Sequence, residues 1–231
     1  MKRPLVSVII PVWNMKHYVG DALRSAFAQD YRPIEVIVVD DGSSDGSGAL
    51  ARSFPEAVVL EQKQNRGVAA ARNLGLERSR GELIAFLDAD DVWEPHKLSL
   101  QVAWLFEHPE IGYVTAHFRN ILEQDVPRPL WIREEQLLEI QRGGVPNLLA
   151  RRSVFDTIGG FEPTQRSGSD LDWVVRATDA KIASAVLPQV LLRRRIHRTN
   201  QSYHWQGKKT LLLKALKSSI DRKRAAGDER A

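Results

Sequence analysis

Four short apolar runs alternate with helical patterns over the first 110 residues. Val19, Leu23 and Phe27 recur at four-residue spacing after the first run, as on one face of a helix. Runs that are apolar throughout are typical of strands covered on both faces. The order predicts an α/β domain with a mainly parallel, doubly wound sheet and helices on both faces. The runs are LVSVII (5–10), IEVIVV (34–39), AVVLEQ (57–62) and ELIAFL (82–87).

The pattern is less regular beyond residue 110. Residues 111–118, IGYVTAHF, predict one more strand, and residues 119–146 predict a long variable loop region. A helix is predicted near 170–180.

Composition limits the class of protein. The chain has 231 residues, 43% of them hydrophobic and 27% charged, which suits one large globular domain. The absence of cysteine excludes disulfides and thiolate metal sites. No apolar run approaches the ~18 residues of a membrane span, and the short run after Arg3 predicts a strand, not a signal peptide. We therefore expect a cytoplasmic protein, and a net charge of +4 gives no indication of nucleic-acid binding.

The last segment of the chain has a charge pattern of its own. Leu212, Leu216 and Ile220 recur every four residues and predict a basic amphipathic helix within 206–231. Such a helix either packs on the body of the protein or contacts anionic lipid headgroups or a partner, which would place the protein peripherally at the inner face of the membrane. Between residues 206 and 226, Asp221 is the single acidic residue against seven basic ones, namely Lys208, Lys209, Lys214, Lys217, Arg222, Lys223 and Arg224.

Polar side chains follow three of the predicted strands, at the edge where open α/β sheets bind ligands. Neighbouring carboxylates repel one another, so a divalent cation is expected among them, and oxygen ligands indicate Mg²⁺ or Mn²⁺. Such cations also bind substrate phosphates. Single residues have structural alternatives: Asp41 could belong to a turn and Trp13 to the core, and Asp45 of the same turn could cap a helix. The residues are Pro11, Trp13 and Asn14, then Asp40 and Asp41, and finally Asp88, Asp90 and Asp91.

Seven motifs follow one another along the chain: VSVIIPVWN, VIVVDDGSSD, NRGVAAARNLGL and GELIAFLDADDVWEPHKL, then NLLARRSVFDTIGGF, SGSDLDWVVRA and RRRIHRTNQS. In this order they resemble the motifs of family 2 glycosyltransferases with the GT-A fold. The resemblance is strong over residues 5–110 and thinner to about residue 202. It implies an inverting transferase that moves a sugar from a nucleotide-sugar, with UDP as the expected nucleotide, to the hydroxyl of a saccharide, lipid-linked or peptide acceptor.

The resemblance also implies a division of labour along the chain. Residues 1–118 would form the nucleotide-sugar-binding half, residues 119–205 the acceptor-binding and catalytic half of the same domain, and residues 206–231 the basic tail. In the first half Pro11 would offer backbone contacts to the base and Trp13 would lie against the uracil ring. Asp41 would accept from the imide N–H, and Arg72 would face the nucleotide pocket.

The family's metal motif falls on the triple carboxylate. Asp88 would approach the ribose, Asp90 would ligate a cation bridging the diphosphate, and Asp91 would orient its neighbours. His197 matches a late histidine that can complete the metal shell, although a histidine among arginines is also typical of a surface.

Asp170 takes the position of the general base, with Asp172 as the alternative. From the local sequence alone, Ser169 or Asp170 could instead cap a helix. The family usually has Glu before this Asp, and Ser169 replaces it here, which keeps a catalytically silent nucleotide-sugar-binding subunit open. Trp131 and Phe161 are candidates for stacking on a sugar, and Phe161 could equally belong to the core.

Overall fold

Four parallel strands and the helices between them form the first half of the fold. The computed structural model describes residues 3–129, 132–165, 168–200 and 217–221. Each element predicted before residue 110 is present, and Val6 of the first strand pairs with Ile34 and Leu83 of its two neighbours. The elements are β1 (Val6–Val12), α1 (Val19–Phe27), β2 (Ile34–Asp40), α2 (Ser47–Arg52), β3 (Ala57–Glu61), α3 (Val68–Arg78) and β4 (Leu83–Phe86).

The second half extends the same sheet with strands of both directions. β8 runs antiparallel to β4 and to β6, and β9 pairs with β6 in parallel, so β6 and β9 point the same way as β1. The order is β3-β2-β1-β4-β8-β6-β9-β5, with β7 beside β6. These elements are β5 (Val92–Trp93), α4 (Lys97–Glu107), β6 (Tyr113–Leu122), α5 (Glu135–Leu138), β7 (Gln141–Arg142), a 3₁₀ turn (Val145–Asn147), β8 (Leu149–Arg151), α6 (Arg152–Ile158), α7 (Ser169–Asp179) and β9 (Ser184–Ile196).

Apolar clusters cover both faces of this sheet. Alternate residues of a strand point to opposite faces, so Val8 joins the core that contains Leu23 of α1, and Ile9 joins the core that contains Trp173 of α7. Burial of each such side chain contributes about 1.5–3 kcal/mol. The doubly wound architecture is confirmed, and the carboxyl ends of β1, β2, β4, β6 and β9 meet at one edge.

Residues 119–146 contain more regular structure than their sequence predicts. β6 continues to Leu122 because it pairs with β9 over most of its length, and α5 and β7 follow. Long-range pairing of this kind leaves no periodic signal in the local sequence. The boundary placed at residue 118 lies inside β6, and the division of labour along the chain stays a prediction.

The predicted C-terminal helix is described only over residues 217–221, which are helical. Ser219 is buried there, and its hydroxyl donates to Asp179 Oδ1 at the end of α7 over 2.8 Å. Leu212, Leu216 and most of the basic residues lie outside the described residues. Among the helices that the structure describes, none has the length and apolar character needed to cross a membrane.

Candidate active site

Hydrogen bonds connect the loop that follows β1 to the loop that follows β2. Asn14, at φ 52°, accepts from the Ser44 N–H over 2.9 Å, and Asp45 accepts from the Lys16 N–H over 2.9 Å. Trp13 lies on the loop that follows β1, and its side chain is 44% exposed. A large exposed aromatic ring on a rigid loop is suited to contact a ligand.

Asp41 is buried behind this loop and is held by three N–H donors. Its Oδ1 accepts from Gln62 Nε2 over 3.0 Å and from the Arg66 N–H over 2.8 Å, and its Oδ2 accepts from the Gly67 N–H over 2.8 Å. Burial raises the pKa of Asp41, and the two backbone N–H groups oppose that rise. Pro11 is buried in β1 nearby, opposite Val39 of β2.

Asp40 has a structural role instead. Its Oδ1 accepts from the Ser43 N–H over 3.0 Å. Its Oδ2 packs against Gly48, where the Cβ of any other residue would collide with it. Gly42 has φ +75°, and a Cβ there would lie 2.8 Å from the main chain of Gln64. A glycine is therefore needed for the turn to approach the segment that holds Asp41.

The three carboxylates after β4 converge, as their spacing predicts. Oxygens of Asp88, Asp90 and Asp91 all lie within 4.8 Å of one another. Asp91 is buried and accepts from the Arg195 N–H over 2.9 Å, which attaches this loop to the end of β9. Burial, together with the charges of Asp90 and Asp88, raises the pKa of Asp91 well above its ordinary value.

Arg72 connects this cluster to α7. The side chain is 2% exposed, and its Nη2 donates to Asp88 Oδ1 over 2.8 Å while its Nη1 donates to Asp170 Oδ1. Phe161 lies below the guanidinium, with 5.3 Å between Cζ and the ring centroid. Burial opposes the charge of Arg72, but Asp170 and Asp88 outweigh it and raise its pKa. The guanidinium is thus sandwiched between an aromatic core and two carboxylates.

The late histidine lies beside Asp90. His197 is buried, its Nε2 is 3.1 Å from Asp90 Oδ2, and its ring stacks on Tyr18 with centroids 4.2 Å apart. Asn200 also contacts Asp90, since its Nδ2 donates to Oδ2 over 2.7 Å. The surface interpretation of His197 is therefore wrong, although its role as a ligand stays a prediction.

The two candidate bases on α7 face different surroundings. Asp170 is 42% exposed and points to Arg72, whereas Asp172 is buried and bonded to Arg176 Nε over 2.8 Å. Arg176 also donates to the carbonyls of Ile158 and Gly160, which ties Asp172 to the turn after α6. Within the described part of the chain, Gly168 precedes α7 and no side chain caps it, so the capping alternative for Ser169 or Asp170 is wrong.

Most of the predicted site residues therefore meet at one edge of the sheet. Phe161 is an exception, since it is buried among aromatic rings and belongs to the core, and Trp131 lies outside the described residues. Sequence reasoning missed Gln62 and Asn200. The one sequence signal for Asn200 is its place three residues after His197.

Comparisons with known proteins bear on this arrangement. The family model described as glycosyl transferase family 2 matches residues 7–168. Glycosyltransferase AglE of Haloferax volcanii is 32% identical over 198 residues, covering 77% of this chain and 62% of that protein. An uncharacterized glycosyltransferase of Rickettsia typhi is 41% identical over 99 residues, covering 43% of this chain and 31% of that protein. The chain thus spans less than two thirds of either relative.

Solved structures share the fold. TarS of S. aureus in complex with UDP-GlcNAc aligns with a TM-score of 0.72 and 20% identity, over 87% of this chain and 61% of that one. The mannosyltransferase PcManGT of Pyrobaculum calidifontis in complex with GDP-Man and Mn²⁺ aligns with a TM-score of 0.68 and 25% identity, over 88% and 60%. Because the family model matches well over half of the sequence, the chain belongs to glycosyltransferase family 2, with the GT-A fold.

Proposed function

We propose that this chain is an inverting, metal-dependent transferase that moves a sugar from a UDP-sugar to an acceptor hydroxyl. One observation carries the proposal. Arg72 joins Asp88, in the carboxylate cluster where the donor diphosphate would lie, to Asp170, a half-exposed carboxylate on α7. Solved relatives that bind UDP-GlcNAc or GDP-Man support a nucleotide-sugar as the donor.

The surroundings of Asp41 favour uracil as the base. An ionised carboxylate offers about four lone-pair sites for hydrogen bonds. Among the described residues, three N–H groups occupy three of these sites on Asp41. One acceptor site remains, which suits the single imide N–H of uracil. The corresponding edge of guanine carries two donors, a ring N–H and an amino group, so one acceptor site would not satisfy both. The corresponding ring nitrogens of adenine and cytosine are acceptors and cannot donate to the carboxylate.

Trp13 and Pro11 would complete the base pocket. The exposed Trp13 ring is free to stack, and an aromatic contact with a base is worth about 1–3 kcal/mol. Pro11 lacks a backbone N–H, so it can contribute only its carbonyl oxygen.

The carboxylates and His197 fit a divalent cation. Asp90 Oδ2 and His197 Nε2 lie 3.1 Å apart, close to the ~3.0 Å between adjacent ligands of an octahedral ion whose bonds are about 2.1 Å long. Asp90 would hold the cation through a carboxylate oxygen, as Mg²⁺ or Mn²⁺ prefers, and Asp88 would approach the ribose of the donor. A cation held there would supply Lewis-acid stabilisation of the charge on the departing diphosphate.

Asp170 is the base in this proposal. Its Oδ1 is held by Arg72, so Oδ2 would take the proton of the acceptor hydroxyl while that oxygen attacks the sugar C1. The bond from C1 to the diphosphate oxygen breaks on the opposite face, and its electron pair leaves with UDP. Attack opposite the leaving group inverts the anomeric centre. Asp172 is committed to Arg176 and would support the turn after α6.

The acceptor and the membrane contact are further parts of the proposal. A saccharide, lipid-linked or peptide hydroxyl would approach the exposed side of Asp170. Contact of residues 206–231 with anionic lipid rests on their sequence alone. Deleting that segment should lower binding to anionic vesicles without loss of transfer, and equal vesicle binding would contradict the contact.

The proposal is tested with a panel of nucleotide-sugars, with and without Mn²⁺. A ligand that binds the native state raises the apparent unfolding temperature, and we expect the largest rise for a UDP-sugar with Mn²⁺. Release of UDP in the presence of acceptor identifies an enzyme. Binding without turnover would instead indicate a catalytically silent nucleotide-sugar-binding subunit, the alternative based on Ser169 in place of the usual Glu. No stabilisation by any nucleotide would contradict the proposed donor.

A further inference from the structure

Asn200 uses both ends of its amide on the pair of side chains proposed to hold the cation. Its Nδ2 donates to Asp90 Oδ2 over 2.7 Å and lies 3.0 Å from His197 Nε2. Its Oδ1 accepts from the His197 backbone N–H over 2.6 Å. Asn200 is 8% exposed, so these contacts are shielded from competing water.

The ring of His197 has a second partner on the same turn. Thr199 Oγ1 lies 2.8 Å from His197 Nδ1. A cation bound to His197 would take the single lone pair of Nε2, so the Asn200 amide would then donate to Asp90 Oδ2 and not to Nε2. The ring hydrogen would stand on Nδ1, where the Thr199 oxygen can accept it. A hydrogen-bond partner on the other ring nitrogen fixes the tautomer and the orientation of a metal-ligating histidine.

We propose that Asn200 is a positioning residue for the donor's cation, which holds Asp90 and His197 at ligating separation, and that Thr199 orients the His197 ring. This inference rests on the metal site of the proposed function. Without Asn200 the carboxylate of Asp90 loses the 2.7 Å hydrogen bond from the amide and can turn from His197, which Tyr18 still holds by stacking. The His197–Asn200 turn thus presents a ligand pair whose geometry would otherwise depend on the cation alone.

The side-chain chemistry explains why asparagine suits this position. A serine is too short to contact Asp90 while bonded to the His197 main chain. An aspartate would lose the N–H donor and bring a further carboxylate beside Asp90, where oxygens of Asp88 and Asp91 already lie within 4.8 Å. An amide provides one donor and one acceptor at the required ends.

The experiment measures Mn²⁺ affinity rather than turnover. The electron paramagnetic resonance signal of free Mn²⁺ is followed while the full chain is titrated, with and without UDP. Asn200→Ala should bind Mn²⁺ about 10- to 100-fold more weakly than wild type, as found for outer partners of metal ligands, with little change in unfolding temperature without metal. The matched control is Asn120→Ala, because Asn120 is 6% exposed and its amide donates to the Gln136 carbonyl; it should bind as wild type.

The outcomes separate this inference from the proposed function. Wild-type affinity in Asn200→Ala overturns the role of Asn200, whereas a wild-type chain that binds no Mn²⁺ overturns the metal site itself. If Asn200→Ala does not fold, Thr199→Val decides, because Thr199 is exposed and its loss should leave the fold intact. That variant should bind Mn²⁺ several-fold more weakly, and unchanged binding contradicts the inference.

Discussion

Arg72 and Asp170 form an ion pair in which the arginine is 2% exposed and the carboxylate 42% exposed. The other η nitrogen of Arg72 is bonded to Asp88, so one rigid guanidinium fixes the separation between the cluster after β4 and the start of α7. Phe161 supports the guanidinium from below. Arg72 therefore sits beneath the crevice, and we expect it to act on the donor through Asp88.

Arg72→Lys should separate two roles of Arg72, which are to position Asp170 and to act on the donor through Asp88. A lysine keeps the charge but lacks the planar fork that reaches two carboxylates, so Asp170 becomes misplaced while the cation site stays intact. We expect kcat to fall about 100-fold, as for a displaced catalytic group, with the donor Kd within about threefold of wild type. Steady-state kinetics and calorimetry measure both. A donor Kd that rises as much as kcat falls would instead support the direct nucleotide contact that the family resemblance implies.

Asp170→Asn tests the assignment of the base. Removal of a general base typically costs 10²- to 10⁴-fold in rate, and we expect that loss in kcat with donor binding retained. Asp172→Asn is the matched variant two residues away. It weakens the buried pair with Arg176, so it should lower the unfolding temperature while the folded protein keeps most of its transfer rate. Loss of transfer in Asp172→Asn alone would reverse the assignment.

Asp41→Asn tests how the base is recognised. The amide presents N–H groups where the carboxylate presented a free acceptor site, so the uracil imide N–H would meet a donor. An unsatisfied buried donor costs about 1–3 kcal/mol, and UDP affinity should fall about 10- to 100-fold. Calorimetric titration with UDP and CDP measures the change, and the preference for UDP over CDP should narrow. Unchanged UDP affinity would mean that the base is recognised elsewhere.

The first half of the fold could be predicted because each element there carries its own signal. Continuously apolar strands such as Ile34–Asp40 end directly at polar residues, so sheet edge and candidate ligands appear together in the sequence. The parallel arrangement then brings Asp41 and Asp88 to the same edge. The carboxylate cluster could be found in this way without knowledge of any long-range contact.

The rest depends on contacts between distant parts of the chain. The choice between Asp170 and Asp172 depends in part on such a contact: Arg176 pairs with Asp172 within α7, but Arg72, which holds Asp170, lies 98 positions earlier in the chain. The length of β6 is likewise set by β9, about 70 positions later in the chain. Asn200 gains its significance only when the turn after β9 meets Asp90.

Lys97 is a buried cation outside the site, at the start of α4. Its Nζ donates to Gln101 Oε1 over 2.7 Å and lies 3.9 Å from the centroid of the Trp93 ring. Among the residues that the structure describes, no carboxylate forms an ion pair with it. Burial lowers the pKa of Lys97 well below its ordinary value of 10.5.

This lowered pKa makes the stability of the fold depend on pH. Between the lowered pKa and 10.5 the unfolded chain binds one proton more at residue 97 than the folded chain does, so the free energy of unfolding rises with pH in that window. Its contribution is about 1.4 kcal/mol per pH unit. Lys97→Met keeps the length of the aliphatic side chain and removes the group that binds the proton. The free energy of unfolding of this variant should therefore rise less steeply with pH than that of the wild type, by about 1.4 kcal/mol per pH unit.

Urea unfolding of both proteins between pH 8.5 and 10 measures this difference, because all other titrating groups are shared and cancel. Lys97→Met should also be the more stable protein at pH 8.5, since no charge has to be removed from water on folding. The advantage should shrink as the pH approaches 10.5. Parallel slopes for the two proteins would show that Lys97 is charged in the folded state, which would require water or a counter-charge beside its Nζ.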